Sequence, residues 1–307
     1  MYFYLAWRFI KKSNALAYRN DCYARIATNV SYGTCPSVRW NAVERCSFGV
    51  RIYTASKAIR RKTSPILMTS FLSHIHSHLR QARTTKRGAT HRPNDVPRGL
   101  YKTYPRMPNI PLPEPKLLTA TLYDTLKRRH SAFSGDPQKP IALRELGTLL
   151  GLALQKRPNV TNRNYPSGGG LYPIETYLIS VALESQISGV FHYNPIKHSL
   201  ECLWDLPPHF NMKDVAKNPR SLPLSTLIVF TSVWRRSSAK YGDLAYLHAL
   251  LEAGHMSENI LLTGCALGLN VRPYAGFNDA LIEQLLDLDS EREQPVHTIT
   301  LCGAHTK

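Results

Sequence analysis

Four short segments carry side chains whose types and spacing could do chemistry. The first is Tyr165-Pro166-Ser167-Gly168-Gly169-Gly170-Leu171-Tyr172-Pro173, followed by Ile174, Glu175 and Tyr177. Consecutive glycines let a backbone approach a ligand closely and adopt positive φ, and Ser167 adds a hydroxyl for hydrogen bonding. No Gly-Lys-Ser/Thr follows and the spacing is not GxGxxG, so the phosphate turns of nucleotide enzymes are not indicated. Taken alone, a Pro-Ser-Gly-Gly run is also an ordinary loop. The second segment is Ser238-Ala239-Lys240-Tyr241-Gly242. A lysine beside a tyrosine can supply a proton acceptor, because a nearby ammonium lowers a phenol's pKa and desolvation lowers a lysine's. A surface Lys-Tyr dipeptide is the plainer alternative.

The third segment places His248, Glu252, His255 and Asn259 four, three and four residues apart, on one face of an otherwise apolar helix. Polar groups on a buried face need partners, which a metal or a hydrogen-bonded helix–helix contact would supply. The fourth, Arg128-Arg129-His130-Ser131, ends an apolar helical pattern. Its arginines suit a bidentate phosphate clamp or the carbonyl end of the helix.

The elements that must position these groups follow from periodicity. Leu117 to Arg129 and Leu143 to Leu154 read as helices, and Leu244 to Leu267 is the longest helical pattern, stopped by Gly268. Ile174 to Leu183, Gly189 to Tyr193, Ser199 to Trp204, Leu224 to Val233 and Val296 to Cys302 read as strands, with a hairpin turn at Asn194-Pro195. Helices and strands interleave irregularly, which predicts an α+β fold. Seven prolines between Pro93 and Pro115 make that stretch extended. The predicted organisation is therefore a basic extension over 1–67, a Pro-rich arm or linker over 68–115 and a domain over 116–307.

Charge supports that division. Of 39 Lys/Arg and 21 Asp/Glu, residues 1–67 hold 12 and 2, residues 68–100 hold 6 and 1, and residues 101–307 hold 21 and 18. The basic excess sits on the leading third, so the expected domain lacks the clustered charge that nucleic-acid binding requires, and no nucleic-acid partner is expected. Met68 would serve as a translation start, leaving 1–67 as an untranslated or disordered extension. His74, His76 and His78 alternate as ligands on one strand face would, but no carboxylate lies near to complete a metal site. The six cysteines show no CxxC pair and no regular spacing, so neither a zinc site nor a disulfide framework is indicated. With no long uncharged apolar run and no secretory signal pattern, a cytoplasmic protein without a membrane partner is expected.

Taken in order, these segments resemble the SagB-type thiazole/oxazole-forming dehydrogenases of the nitroreductase superfamily. The resemblance rests on Arg128-Arg129-His130-Ser131, Pro166 to Glu175, Lys240-Tyr241-Gly242, Leu251-Glu252-Ala253-Gly254-His255 with Asn259, Ala266-Leu267-Gly268-Leu269 and Gly276-Phe277, and spans roughly Tyr101 to Gly303. It implies a nitroreductase-like fold with a central mixed β-sheet flanked by helices, an intertwined homodimer, and FMN at the dimer interface. Phosphate and ribityl contacts are implied for Arg128, Arg129 and Ser131. Isoalloxazine contacts are implied for Pro166, Ser167, Gly168 and Gly169, with Gly276 and Phe277 adding to the cofactor site. Lys240 and Tyr241 map onto the catalytic pair. The implied reaction oxidises thiazoline or oxazoline rings of a ribosomally made precursor peptide to thiazole or oxazole, with a cyclodehydratase complex as partner. Alternatives on the same fold are an NAD(P)H-dependent nitro- or quinone-reductase and a non-catalytic member of a peptide-modifying complex. The sequence departs from the pattern at Phe133, where a second arginine is usual; Arg272 is a candidate substitute, and Lys307 a candidate for the basic residue expected near the C-terminus.

Overall fold

The computed structural model describes residues 44–45, 51–52, 65–84, 101–133, 139–160, 162–216 and 225–303. Contacts gather into two units, residues 1–72 and 73–307. In the first, Glu44–Arg45 pairs antiparallel with Arg51–Ile52. Most of the expected 1–67 extension, and Lys307, lie outside the described residues. Helix α1 (Pro65–Thr84) carries His74, His76 and His78, whose alternation would suit ligands only on a strand. Alternate residues on a helix point about 200° apart, so His76 faces away from His74 and His78 and the three do not share one face.

The second unit continues with β1 (Asn109–Pro111), α2 (Leu122–Arg128), α3 (Leu143–Leu154), β2 (Ile174–Ser180), β3 (Gly189–Asn194) and β4 (Ser199–Trp204). It ends with β5 (Thr226–Val233), α4 (Arg235–Tyr241), α5 (Leu244–Leu267), β6 (Asn270–Tyr274), α6 (Asp279–Leu285) and β7 (Glu293–Cys302). The strands form one seven-stranded sheet in the order β1-β4-β3-β2-β5-β7-β6. Every ladder is antiparallel, whereas a mixed sheet was expected. The connections joining β2 to β3 and β3 to β4 are too short for the crossover that a parallel pair needs. A parallel pairing occurs at the isolated bridge Ile141–Leu183.

The sheet is buried on both faces, and its side chains alternate between two cores. Ile174, Leu178, Ile228 and Phe230 pack on one side with Leu149, Leu150 and Ala153 of α3 and Ala249, Ala253 and Ile260 of α5. Tyr177, Ile179, Leu227 and Val229 pack on the other with Met212, Val215, Ile282 and Leu285. This is the period-2 alternation of a strand applied to a two-sided layer. Helix α5 runs 24 residues, about 36 Å, and its apolar character on most sides matches its place between sheet and helices. Gly268 ends it in the left-handed conformation, φ 74°, as the sequence predicts.

Two boundaries differ from expectation for identifiable reasons. Helix α2 begins at Leu122 rather than Leu117, because the Thr121 hydroxyl caps it by accepting the Asp124 N–H at 3.0 Å. The described end of the Pro-rich arm, residues 101–115, joins the fold. Asn109–Pro111 pairs with β4, and Lys102 to Tyr104 enter the hydrogen-bonding of the sheet interior.

Candidate active site

The glycine loop and the Lys-Tyr pair meet. Gly169 has φ 67°, and a Cβ placed there would lie 2.5 Å from the Tyr241 hydroxyl and 2.7 Å from Lys240 Nζ. The absence of a side chain is therefore what lets both functional atoms reach the loop. A Cβ at Gly168 would lie 3.3 Å from His248 Nδ1, which puts that ring on the loop's α5 side. The His248 and Tyr241 rings meet edge to face, 4.6 Å between centroids. The pair is delivered by α4, a short helix set between β5 and the Gly242 turn, where φ is 54° and the amide donates to Ser238 O at 2.8 Å.

The loop is held in its shape from behind. Tyr172, at its exit, has φ 47°, a conformation that costs a non-glycine residue energy and persists only under external constraint. Four contacts supply that constraint. Its amide donates to Ser167 Oγ at 2.9 Å, its carbonyl accepts from Arg236 Nη1 at 3.0 Å, its hydroxyl accepts from Arg163 N–H at 3.0 Å, and the Arg163 guanidinium lies 4.6 Å from its ring centroid. Arg236 also pairs with Glu175 at 2.5 Å, so one guanidinium bridges the loop exit, strand β2 and α4.

Ser167 was expected to offer its hydroxyl to a ligand. The structure shows that proton donated to Glu252 Oε2 at 2.5 Å, within the distance of a charge-assisted hydrogen bond. Glu252 is 2% exposed, and its other oxygen has no hydrogen-bond partner. Burial raises its carboxyl to about 7 against the pull of the Ser167 hydrogen bond and of Arg163 and Arg236. Of the four polar residues on one face of α5, His248 and Glu252 serve the loop. Asn259 donates to Ala153 O and Asn164 O at 3.2 and 3.1 Å, and His255 is exposed.

Beneath the loop lies a polar network that the sequence motifs do not reveal. Fully buried His192 meets Glu175 through Nε2 and Glu201 through Nδ1, both at 2.9 Å, so both ring nitrogens face carboxylates and the imidazolium form is favoured. Burial opposes ionisation of each carboxyl. The His192 hydrogen bond overcomes it at both, assisted by Arg236 at Glu175 and by Asn194 and Thr103 at Glu201, and holds both at about 2. The arm feeds the same network: Lys102 N donates to Glu175 at 2.8 Å, Thr103 Oγ1 to Glu201 at 2.8 Å, and Lys102 Nζ to Glu293 at 2.6 Å. The sequence signal was polar residues inside otherwise apolar strands, which must find partners when buried. It marks a network without saying which residues join it.

The remaining predicted residues occupy other contacts. Arg128 ends α2, Arg129 caps it, and the segment is pinned to β6 by the Ala132 amide donating to Val271 O at 3.1 Å. The Arg272 guanidinium lies 4.4 Å from the Phe133 ring centroid, so an arginine from β6 stands beside the position where the family pattern has one. Pro166 is exposed at the loop entrance. Gly276 packs under Tyr274, whose hydroxyl a Cβ would approach to 2.8 Å. Phe277 is a core residue, 6% exposed, packed in the cluster with Met212 and Val215. An open cleft of about 450 Å³ is lined by Arg157, Arg163, Pro166, Ser167, Gly170 and Tyr172, among others. Among the described residues, no group of three or more His, Cys, Asp or Glu is arranged to hold a metal, and no helix is long and apolar enough to cross a membrane.

Comparison with known proteins places this arrangement in context. The chain is 30% identical over 145 residues to the Microcin B17-processing protein McbC of Escherichia coli, a match covering 45% of this chain and 53% of that protein. It is 26% identical over 212 residues to the Trifolitoxin-processing protein TfxB of Rhizobium leguminosarum bv. trifolii, covering 63% and 56% respectively. The chain thus spans little more than half the length of these two curated relatives. Among solved structures, a chain of the E. coli microcin synthetase McbBCD complex with truncated pro-MccB17 bound superposes with TM-score 0.53 at 20% identity, covering 80% of this chain and 100% of that one, a likeness of fold. The sequence profile of the Nitroreductase family matches residues 126–303, a span that includes the glycine loop, α4, α5 and the Phe133–Arg272 contact. By that match, over more than half its length, the chain belongs to the nitroreductase family.

Proposed function

We propose that this chain is an FMN-dependent oxidoreductase that converts thiazoline or oxazoline rings of a ribosomally made peptide into thiazole or oxazole, working in the cytoplasm beside a cyclodehydratase. The observation that carries this reading is the convergence of Lys240 Nζ and the Tyr241 hydroxyl on Gly169. Aromatising the ring removes a hydride from one carbon and a proton from its neighbour, so a base must stand beside the cofactor loop. A flavin, when bound, supplies the hydride acceptor. Two relatives named for processing peptide toxins point to the same substrate class.

The residues present suit FMN. Gly168 and Gly169, which carry no side chain, leave their backbone open to close approach, and Arg272 beside Phe133 supports phosphate binding with Arg128, Arg129 and Ser131. Since the Ser167 hydroxyl is engaged by Glu252, contacts to the ring system fall to the backbone of Pro166 to Gly169. Lys240 and Tyr241 take the ring proton, while Arg236 and Glu175 hold α4 against the loop. Leu122, Tyr123 and Leu126 are 68%, 70% and 57% exposed on α2, an apolar face that supports homodimer formation. Cys202 and Cys265 are free thiols, as a reducing compartment maintains.

The test is the visible spectrum of the purified full chain together with azoline-peptide oxidation, read as the mass lost with two hydrogens. Lys240→Ala and Tyr241→Phe should each retain flavin absorbance and lower turnover by about 10²–10⁴. Colourless protein that cannot be reconstituted with FMN, or variants as active as the parent, would refute the reading.

A further inference from the structure

The contact between Ser167 and Glu252 joins a wall of the open cleft to a buried carboxyl that the Ile174 amide also approaches. The hydrogen-bond inventory of Ser167 is restricted. Its oxygen accepts the Tyr172 amide at 2.9 Å, its one proton goes to Glu252 Oε2 at 2.5 Å, and a single lone pair remains. If the carboxyl carries a proton on Oε2, that proton must point at Ser167 Oγ, because the oxygens are already within hydrogen-bond distance. The serine then accepts from both Tyr172 and Glu252, and its own proton has to turn elsewhere. The cleft that Ser167 lines, walled otherwise by Arg157, Pro166, Gly170 and Tyr172, is the open side.

We infer that Glu252 and Ser167 form a proton-controlled donor switch in the cleft wall: ionised Glu252 retains the serine proton, and protonated Glu252 releases it toward an acceptor atom of the bound ligand. Glu252 is a positioning residue in this arrangement, acting through Ser167. The ligand class is a planar acceptor, a ring carbonyl or ring nitrogen, so the inference rests on the flavin reading for its physiological ligand while the switch itself resides in the protein.

The surroundings suit the role. Arg163 from the preceding loop, Arg236 from α4, Glu175 from β2, Tyr165 beside Arg163 and His248 one turn earlier on α5 are the titratable and charged groups near it. The Ser167 hydrogen bond, Arg163, the Ile174 amide and Arg236 together keep burial from driving the carboxyl above neutrality, where it would be locked in one state. Binding of an acceptor favours the protonated state, so by linkage affinity falls as pH rises through about 7.

Two measurements on the full chain test this. In infrared titration of the purified protein, a protonated-carboxyl stretch should grow as pH falls from 8 to 6, vanish in Glu252→Gln and shift to higher frequency in Ser167→Ala, which removes its hydrogen-bond partner. In fluorescence titration with FMN, parent affinity should be about two- to tenfold tighter at the lower pH, the range of one neutral hydrogen bond. That pH-dependent component should be absent in Ser167→Ala. It should also be absent in Glu252→Gln, whose amide N–H donates permanently to Ser167 and holds affinity at the low-pH level. A carboxyl band that persists in Glu252→Gln, or a pH dependence of FMN affinity that survives in Ser167→Ala, overturns the switch. A band behaving as expected in protein that binds no FMN at any pH supports the switch and refutes the flavin reading instead.

Discussion

Replacing Gly169 with alanine separates backbone strain from displacement of the proposed catalytic pair. The Cβ would stand 2.5 Å from the Tyr241 hydroxyl and 2.7 Å from Lys240 Nζ, whereas ordinary contact begins at 3.4 Å. The two atoms must therefore retreat by about 0.9 and 0.7 Å. Both lie at side-chain ends, so the retreat costs little folding energy, but misplacement of about 1 Å can cost about a hundredfold in rate. The positive φ adds about 1–2 kcal/mol of strain, and for a unit of this size each kcal/mol lowers Tm by about 2–4 °C. Gly170→Ala is the control: its φ is 68°, nearly that of Gly169, and nothing lies within 4 Å of the point where its methyl group would stand. Both variants should lose similar Tm by calorimetry and keep similar flavin absorbance. Only Gly169→Ala should lose azoline oxidation, by about two orders of magnitude. Equal activity in the two variants would refute the claim that the loop is bare in order to admit Lys240 and Tyr241.

Three further outcomes are expected. His192→Ala leaves Glu175 and Glu201 buried without their shared cation, which should cost about 3–5 kcal/mol in urea unfolding, and a loss below about 1 kcal/mol would contradict the network. The pH dependence has two arms: carboxyls held at about 2 stabilise fully above their ordinary 4.5 and lose that contribution as pH falls toward 2, while His192, raised above 6.5, stabilises fully below 6.5 and loses its contribution as pH rises through its folded value. The parent's urea midpoint should thus peak between about 4.5 and 6.5 and the variant's should be flatter. Leu126→Glu on the exposed face of α2 should convert the proposed homodimer to monomer in light scattering, and an unchanged mass would exclude that face as the contact.

Much of the layout was legible because its signals are local. The apolar runs of β5 and α5, the stop at Gly268 and the hairpin at Asn194-Pro195 depend on neighbours in sequence. Strand β6 was missed because Pro273 argues against a strand, and an edge position is where a strand tolerates proline. The short strand in the arm was missed for the same reason, since proline density spoke for an extended linker. In the site, Lys240, Tyr241 and the glycines were found through residue types and order. Nothing in the sequence singles out Arg236 from the adjacent Arg235, although it ties the loop exit to α4. Nothing in the sequence distinguishes a serine that faces a ligand from one whose proton is taken by a glutamate 85 residues away, because that depends on which face of α5 meets the loop.

The two outer strands of the sheet share a feature whose effect reaches beyond the single chain. Strand β1 ends in Pro111 and β6 contains Pro273, and a proline has no N–H to offer an incoming strand. Each border therefore interrupts the row of donors that would template a neighbouring backbone, which guards against open-ended stacking of copies during folding or at high concentration. Self-association is thereby directed away from backbone pairing at either border of the sheet.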